Sequence, residues 1–161
     1  MDVAVELLTA TAAAPAVRPL VVDLDGTLIR SDLLIETAFA ELGRQPLSGF
    51  RLLRALISGK AALKHLLAET AEFDPATLPY DEVVLDRIRQ ARAQGRPVWL
   101  ASASNARLVG AIADHLGLFD GWLASDATNN LAGAAKAQAL AERFGHGGFD
   151  YIGNDNADLP V

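Results

Sequence analysis

Apolar and polar positions follow two alternating patterns along this chain. Short apolar runs bounded by turn residues are typical of buried strands, and longer stretches with apolar residues three or four positions apart are typical of helices. The first pattern predicts strands at 20–24, 98–101, 122–124 and 149–152. The second predicts helices at 32–42, 82–93, 105–116 and 134–144, and one or two helices over 49–68, broken near Gly59. Because the two kinds of element alternate, the expected fold class is α/β, a Rossmann-like parallel sheet with flanking helices.

Capping and breaking residues set the predicted ends of these elements. Ser31 and Asp81 are expected to cap the helices at 32–42 and 82–93 through their side-chain oxygens. Gly43 and Gly117 are expected to end the helices at 32–42 and 105–116, since glycine readily adopts the left-handed backbone of a helix end. Two prolines within 73–80 indicate a linker.

The predicted strands are unevenly spaced, which indicates an insert. The connection between the first two strands is much longer than a single crossover helix needs. We therefore expect a core at 19–32 and 80–161, a small helical cap at 33–79 inserted after the first strand, and a flexible leader at 1–18. The last predicted strand lacks a full flank, so the C-terminal part of the core is expected to be missing. The chain would then be a fragment, or one domain of a longer protein.

Composition narrows the classes of function. The chain has 161 residues, of which 51% are apolar and 21% charged, a globular balance that suits one domain. Its net charge of −6 argues against general nucleic-acid binding, which needs a basic field. It has no cysteine, so disulfides and thiolate chemistry are excluded. Neither a signal peptide nor a stretch of the roughly 20 apolar residues of a membrane span is expected.

Four polar signals follow predicted strand ends or begin a helix. They are Asp23 with Asp25, Ser102, Lys136, and the polar run of residues 153–158. In a parallel sheet all four would meet at one edge, outside the carboxyl ends of the strands. Two carboxylates there can divide phosphoryl chemistry between them, one attacking phosphorus and the other moving a proton. Together the four signals predict a phosphate and metal site.

Each signal alone also has an ordinary structural interpretation. The aspartate pair is typical of a turn or a helix cap, and Ser102 of a helix cap. Lys136 is typical of a solvated surface lysine, and residues 153–158 of a loop. The order of the signals and their shared position at strand ends favour the site.

These residues resemble the motifs of the haloacid dehalogenase (HAD) superfamily of phosphohydrolases. Residues 22–28, Val-Asp-Leu-Asp-Gly-Thr-Leu, look like its first motif, and residues 101–104, Ala-Ser-Ala-Ser, like its second. Lys136 looks like the third motif and 153–158 like the fourth, so the resemblance covers residues 20–161. The insert between the first two motifs is similar to the family's helical-cap subtype, as in phosphoserine-phosphatase-like members.

The resemblance implies a Mg²⁺-dependent phosphatase that works through an aspartyl-phosphate. Asp23 would be the nucleophile, and Asp25 would protonate the leaving oxygen and then activate water. The presence of Asp25 favours phosphate esters, because members that act on carbon–halogen bonds usually lack this residue. The partner would be a small phosphorylated substrate.

The same resemblance implies which residues bind the phosphate group and the metal. Those expected to hold the phosphate group are Thr27, Ser102, Ala103 and Lys136. Those expected to hold Mg²⁺, the implied cofactor, are Asp23, Asp25 through its backbone carbonyl, Asn154 and Asp158. The family usually has aspartate where this chain has Asn154, which removes one negative charge. A slow catalyst or a non-catalytic domain therefore stays open.

A basic stretch interrupts this acidic chain. No acidic residue occurs between Gly43 and Ala68, while arginine and lysine recur there with leucine at helical spacing. The stretch predicts either a helix pair packed on the core or a basic surface at 44–64. Such a surface would face an anionic substrate or anionic lipid.

A second resemblance concerns longer proteins. The segments at 31–34, 59–64, 118–120 and 151–161 are similar to phosphatase-like domains that precede membrane enzymes resembling 4-hydroxybenzoate polyprenyltransferase. It implies fusion to a membrane transferase and a cytoplasmic location at the inner face of the membrane. It also implies an alternative function, a non-catalytic or weakly active regulatory domain of that transferase. The identity of the substrate and the oligomeric state are open on sequence alone.

Overall fold

The computed structural model of the chain describes residues 17–45, 47, 49–58, 74–126 and 129–153. Within them one sheet has four strands, β1 Leu20–Asp23, β2 Val98–Asn105, β3 Gly121–Ser125 and β4 Asp150–Ile152. All paired strands run parallel, in the order β3-β2-β1-β4. The predicted α/β class with a parallel sheet is confirmed.

Helices follow the strands in the predicted alternation. The described α-helices are α1 Leu33–Arg44, α2 Gly49–Ile57, α3 Glu82–Ala93, α4 Ala106–Leu116 and α5 Ala134–Phe144. A short 3₁₀ turn, Pro75–Thr77, lies within the predicted linker and precedes α3. Helices α3 and α5 have the predicted bounds, and α4 begins one residue later than predicted, since Asn105 is its N-cap.

The helices cover both faces of the sheet. Successive residues of a strand point to opposite faces, so β1 contributes to two apolar clusters. Val22 packs with side chains of α3 and α4 on one face, and Val21 packs with Leu140 of α5 on the other. All three side chains are fully buried. By the same alternation Asp23 belongs to the face that α5 covers.

The predicted ends of α1 are wrong at both termini. Asp32 caps the helix in place of Ser31, because its carboxylate accepts a hydrogen bond from the Leu34 amide at 2.8 Å. At the other end the helix runs through Gly43, which is not among the glycines with positive φ, and ends at Arg44. Without a left-handed backbone, this glycine does not stop the helix.

The other predicted caps are confirmed. The Asp81 carboxylate accepts hydrogen bonds from the amides of Val83 and Val84 at 2.9 and 3.2 Å, at the start of α3. Gly117 has φ 62° and closes α4 in the left-handed conformation. Both positions therefore do what their residue types predict.

Strand β2 is longer than predicted, and this changes the interpretation of Ser102. The strand continues past Ala101 because Ser102 pairs with Ala124 of β3, and Asn105 pairs with Ser125 after a shift of register. Asn105, at the strand end, caps α4. Ser102 is thus a strand residue, and the interpretation of it as a helix cap is wrong.

The predicted domain bounds are only partly covered by the described residues. Helices α1 and α2 lie in the predicted insert, 33–79. Residues 59–73, which include the rest of the helical stretch predicted at 49–68, lie outside the described residues. So do residues 1–16 of the predicted leader. Of the helices that are described, none combines the length and the apolar character needed to cross a bilayer.

Candidate active site

Asp23 is a buried carboxylate at the carboxyl edge of the sheet. It is the last residue of β1 and pairs with Ala101 of β2. Only 7% of its side chain is exposed, although an ionised carboxylate loses much hydration energy on burial unless it is paired. Lys136 Nζ donates to Asp23 Oδ1 at 2.8 Å, and the Thr27 hydroxyl donates to Oδ2 at 3.4 Å. A cation therefore compensates the buried charge.

Lys136 reaches Asp23 from the first turn of α5. The helix begins after Gly133, whose backbone has φ 52°, and it covers the face of the sheet to which Asp23 belongs. The lysine side chain is 6% exposed, so its interpretation as a solvated lysine is wrong. Its Nζ also donates to Tyr151 Oη of β4 at 3.1 Å and lies 5.8 Å from the centre of that ring.

Asp25 lies beyond the end of β1 and accepts three hydrogen bonds from two different elements. The Leu33 amide, at the start of α1, donates to Oδ1 at 2.8 Å. The hydroxyls of Ser102 and Ser104, both on β2, donate to Oδ2 at 3.1 and 2.9 Å. The turn that carries Asp25 away from the strand is made by Gly26, whose φ of 71° favours glycine. The carboxylate is thereby tied both to the sheet and to the first helix.

The predicted phosphate-binding residues gather around the two carboxylates. Ser102 is fully buried, and its Oγ accepts a hydrogen bond from the Ser104 amide at 2.9 Å. The Ala103 carbonyl accepts from the Ser125 hydroxyl of β3 at 2.8 Å, which fixes the backbone of β2 at this point. Thr27 follows Asp25 by two residues and is buried. The structure thus brings Asp23, Asp25, Thr27, Ser102 and Lys136 to one edge of the sheet.

The chemistry of the described oxygens fits Mg²⁺. This cation prefers hard oxygen ligands and usually keeps several waters, so one or two protein carboxylates suffice for it. Asp23 supplies such a carboxylate, in which the contact of Oδ2 with the Thr27 hydroxyl is long at 3.4 Å. The side-chain oxygens of Asp25 accept three shorter hydrogen bonds, at 2.8, 2.9 and 3.1 Å, which leaves its backbone carbonyl as the better ligand. Among the described residues no group of three or more histidine, cysteine, aspartate or glutamate side chains could hold a metal ion. Asn154 and Asp158, the other two predicted ligands, lie outside the described residues.

Sequence reasoning missed two side chains of this site, Ser104 and Tyr151. Ser104 follows Ser102 by two residues, and residues so spaced on a strand share a face. Its role was hidden because β2 was predicted to end at Ala101. For Tyr151 the sequence predicts only a place in a strand. The available signal is that Tyr151 pairs with Val21, which precedes Asp23 by two residues and so lies on the same face of the sheet. That signal depends on knowing the register of β4 against β1.

The comparison with protein families decides the assignment of the chain. The family model of haloacid dehalogenase-like hydrolases matches residues 20–161. The chain belongs to this family. A curated relative, the uncharacterized protein y4nM of Sinorhizobium fredii, is 42% identical over 143 residues, which are 89% of this chain and 28% of the relative. The chain therefore spans little more than a quarter of that relative's length.

Solved structures share the fold of this HAD-like chain. A HAD family hydrolase from Salmonella enterica superposes with a TM-score of 0.58 at 17% identity, covering 91% of this chain and 60% of the other. A predicted phosphoglycolate phosphatase from Haemophilus somnus has a TM-score of 0.57 at 16% identity, covering 88% and 79%. A phosphoserine phosphatase, captured as a phospho-aspartyl intermediate analogue, has a TM-score of 0.57 at 18% identity, covering 89% and 80%. At such identities the likeness shows a shared fold.

Proposed function

We propose that this HAD-like hydrolase is a Mg²⁺-dependent phosphoric monoester hydrolase with Asp23 as its nucleophile. The observation that carries the proposal is the buried pair of Asp23 and Lys136, 2.8 Å apart at the carboxyl edge of the sheet. A lysine beside a carboxylate lowers its repulsion of an incoming phosphate dianion, which is otherwise the main obstacle to attack by an anion. Asp25 and Ser102 complete the arrangement, and the phosphatase-like solved structures agree with it.

The reaction would proceed in two balanced steps. In the first, an Asp23 oxygen bonds to phosphorus, the bond from phosphorus to the ester oxygen breaks, and protonated Asp25 gives its proton to that oxygen. In the second, Asp25 takes a proton from water, the water oxygen bonds to phosphorus, and the bond to Asp23 breaks. Inorganic phosphate leaves, and both carboxylates return to their starting states.

The chain's own residues would hold and orient the phosphate group. The Ser102 hydroxyl and the Ala103 amide would donate to phosphate oxygens, with Thr27 beside them, and Lys136 would offset the charge that gathers on the equatorial oxygens. Mg²⁺ would be held by Asp23, the Asp25 carbonyl, Asn154 and Asp158, and when bound it would supply charge stabilisation to the phosphoryl group. These contacts position the group more than they react with it, which is what phosphoryl transfer needs.

We further propose that 33–79 forms a helical cap and that 19–32 with 80–161 form the core. Support comes from α1, whose first amide, Leu33, donates to Asp25. The insert therefore starts in contact with the proposed acid–base residue. Substrate selection by this insert, for a small phosphorylated molecule, would follow from that position.

Asp23→Asn tests the proposed function, because it keeps the shape of the nucleophile and removes its charge. We expect the variant not to release phosphate from p-nitrophenyl phosphate. We also expect chelation of Mg²⁺ by EDTA to abolish hydrolysis of this ester by the wild-type protein. Asp114→Asn, at an exposed position on α4, is the matched control and should keep wild-type turnover. A folded Asp23→Asn variant that still releases phosphate at the wild-type rate would contradict the proposal.

A second candidate function is a regulatory or weakly active domain fused to a membrane polyprenyltransferase. The observation that favours it is that the curated relative carries the matching region within a much longer chain. Helix α2 adds a surface suited to the membrane, since Phe50, Leu53 and Ile57 are exposed beside Arg51 and Arg54. Contact with the cytoplasmic face of a membrane through 44–64 would follow.

Vesicle binding tests whether this surface binds a membrane or only attracts an anionic substrate. The wild-type chain should co-sediment with vesicles that contain phosphatidylserine and not with neutral phosphatidylcholine vesicles, because each basic residue near an anionic surface adds about 1 kcal/mol. Arg51→Gln with Arg54→Gln should reduce that binding. Arg87→Gln with Arg89→Gln, on α3, is the charge-matched control. Equal binding by the two double variants would contradict membrane contact through this segment.

A further inference from the structure

Ser104 makes one of the shortest contacts to Asp25, although the proposed chemistry assigns it no part. Its hydroxyl donates to Asp25 Oδ2 at 2.9 Å, and the Ser102 hydroxyl donates to the same oxygen at 3.1 Å. Both serines are buried, with 7% and 0% of the residue exposed, so water competes little for these bonds. The Leu33 amide holds the other carboxylate oxygen at 2.8 Å.

The two serines differ in the number of acceptors that their hydroxyls have in the proposed function. A serine hydroxyl carries one proton and can donate it to one acceptor at a time. Ser102 Oγ accepts a hydrogen bond from the Ser104 amide and donates one to Asp25. In the proposed function the Ser102 hydroxyl donates to a phosphate oxygen instead. Ser102 therefore has to leave Asp25 when the phosphate group arrives, and Ser104 has no such competing demand.

We propose that Ser104 is the residue that positions Asp25 while Ser102 transfers its hydrogen bond to the substrate. The inference rests on the proposed function and concerns the same site. Loss of the Ser102 bond takes one donor from Oδ2 and leaves room beside the Asp25 carboxyl group for the ester oxygen that receives its proton. The Ser104 hydroxyl and the Leu33 amide keep the carboxylate in place meanwhile. Binding of the phosphate group thus prepares Asp25 for proton transfer without letting it turn away.

A positioning role for Ser104 makes a prediction that a packing role does not. Proton donation matters most when the leaving oxygen is strongly basic, because a weakly basic oxygen departs without a proton. Misplacement of Asp25 should therefore slow hydrolysis of a phosphate ester in proportion to the basicity of its leaving group. A loss of packing alone would slow all esters alike.

Phenyl phosphate and p-nitrophenyl phosphate, whose leaving groups differ in basicity, are the probes. Their kcat/KM values report the step that expels the leaving group. For Ser104→Ala we expect kcat/KM to fall by roughly 10- to 100-fold on phenyl phosphate and by less than about threefold on p-nitrophenyl phosphate. Ser104→Thr, which restores the hydroxyl, should recover most of the loss. Ser104→Cys keeps the size with a weaker donor and should show the same ordering if Ser104→Ala fails to fold.

Ser125→Ala is the control for packing in the same sheet, since it removes a hydroxyl bonded to the Ala103 carbonyl and none bonded to Asp25. Its ratio of the two kcat/KM values should equal that of the wild type. Equal losses on both esters in Ser104→Ala, or no recovery in Ser104→Thr, would overturn the inference and leave the proposed function standing. If wild-type turnover is absent, the proposed function fails instead. In that case crystal structures of the wild type and of Ser104→Ala test the positioning role. An Asp25 carboxylate that has not moved in the variant overturns this role, and a carboxylate that has rotated away supports it.

Discussion

Lys136 Nζ lies 2.8 Å from Asp23 Oδ1, although the two residues are 113 positions apart in the chain. Each side chain is nearly free of contact with solvent, and Tyr151 accepts a second hydrogen bond from the lysine. The pair joins the end of β1 to the start of α5, so one contact serves both the fold and the proposed chemistry. Its two roles can be separated by experiment.

The Asp23–Lys136 pair should show strong coupling in a double-mutant cycle. Lys136→Met leaves a buried carboxylate without its cation, and we expect it to lower the free energy of unfolding by about 3–5 kcal/mol. Adding Asp23→Asn should restore part of that loss, since no buried charge is then left unpaired. Urea denaturation of the wild type, both single variants and the double variant measures the cycle. Additive losses would show that the two side chains do not depend on each other.

Tyr151 should hold Lys136 mainly through its hydroxyl. Tyr151→Phe keeps the ring near the ammonium and removes the hydrogen bond, so we expect a loss of about 1 kcal/mol of stability and a fall in turnover. Tyr151→Leu removes the ring as well and should cost more in both measurements. Thermal unfolding and hydrolysis of p-nitrophenyl phosphate follow the two effects. Turnover that is unchanged in Tyr151→Phe would argue that the lysine needs no second partner.

Gly121 and Gly43 should respond to alanine in opposite directions. A Cβ on Gly121 would overlap the Trp99 ring, so Gly121→Ala should lower stability by about 1–3 kcal/mol. A Cβ on Gly43 meets nothing within 4 Å, and Gly43 is helical, so Gly43→Ala should raise stability by roughly 0.5–1 kcal/mol. Both variants can be compared in one urea series. A stabilising Gly121→Ala would mean that the Trp99 ring moves aside at little cost.

Stability should fall in alkaline solution as Tyr80 ionises. Burial raises the pKa of Tyr80 from 10.0 to about 12, and the negative charge of Asp74 adds to the rise. The folded state thus holds the phenol proton more tightly than the unfolded state does. This contribution to stability is complete below about pH 10 and is lost as the pH rises toward 12. Unfolding midpoints between pH 9 and 12 should decline less steeply in Tyr80→Phe; parallel curves for the two proteins would contradict the account.

Elements whose signals are local were predictable from the sequence. Asp81 and Gly117 end their helices as predicted, because a capping carboxylate and a left-handed glycine act on amides and carbonyls a few residues away. Ser31 failed as a cap for a reason that is not local. The Leu33 amide bonds to Asp25, which helps to set where α1 begins, so the neighbouring Asp32 becomes its cap.

The sequence by itself determined the α/β class, and it predicted the carboxyl edge of the sheet as the place of the candidate site, with Asp23 and Asp25 within it. Periodicity and strand-end position carry that information, since both are properties of short segments. Only the tertiary structure decided the burial of Lys136 against Asp23 and the position of the Tyr151 hydroxyl beside Lys136. It also decided the two hydrogen bonds that Ser102 and Ser104 donate to Asp25. Those contacts join residues far apart in the chain. They depend on the order and register of the strands, which no short segment of the sequence encodes.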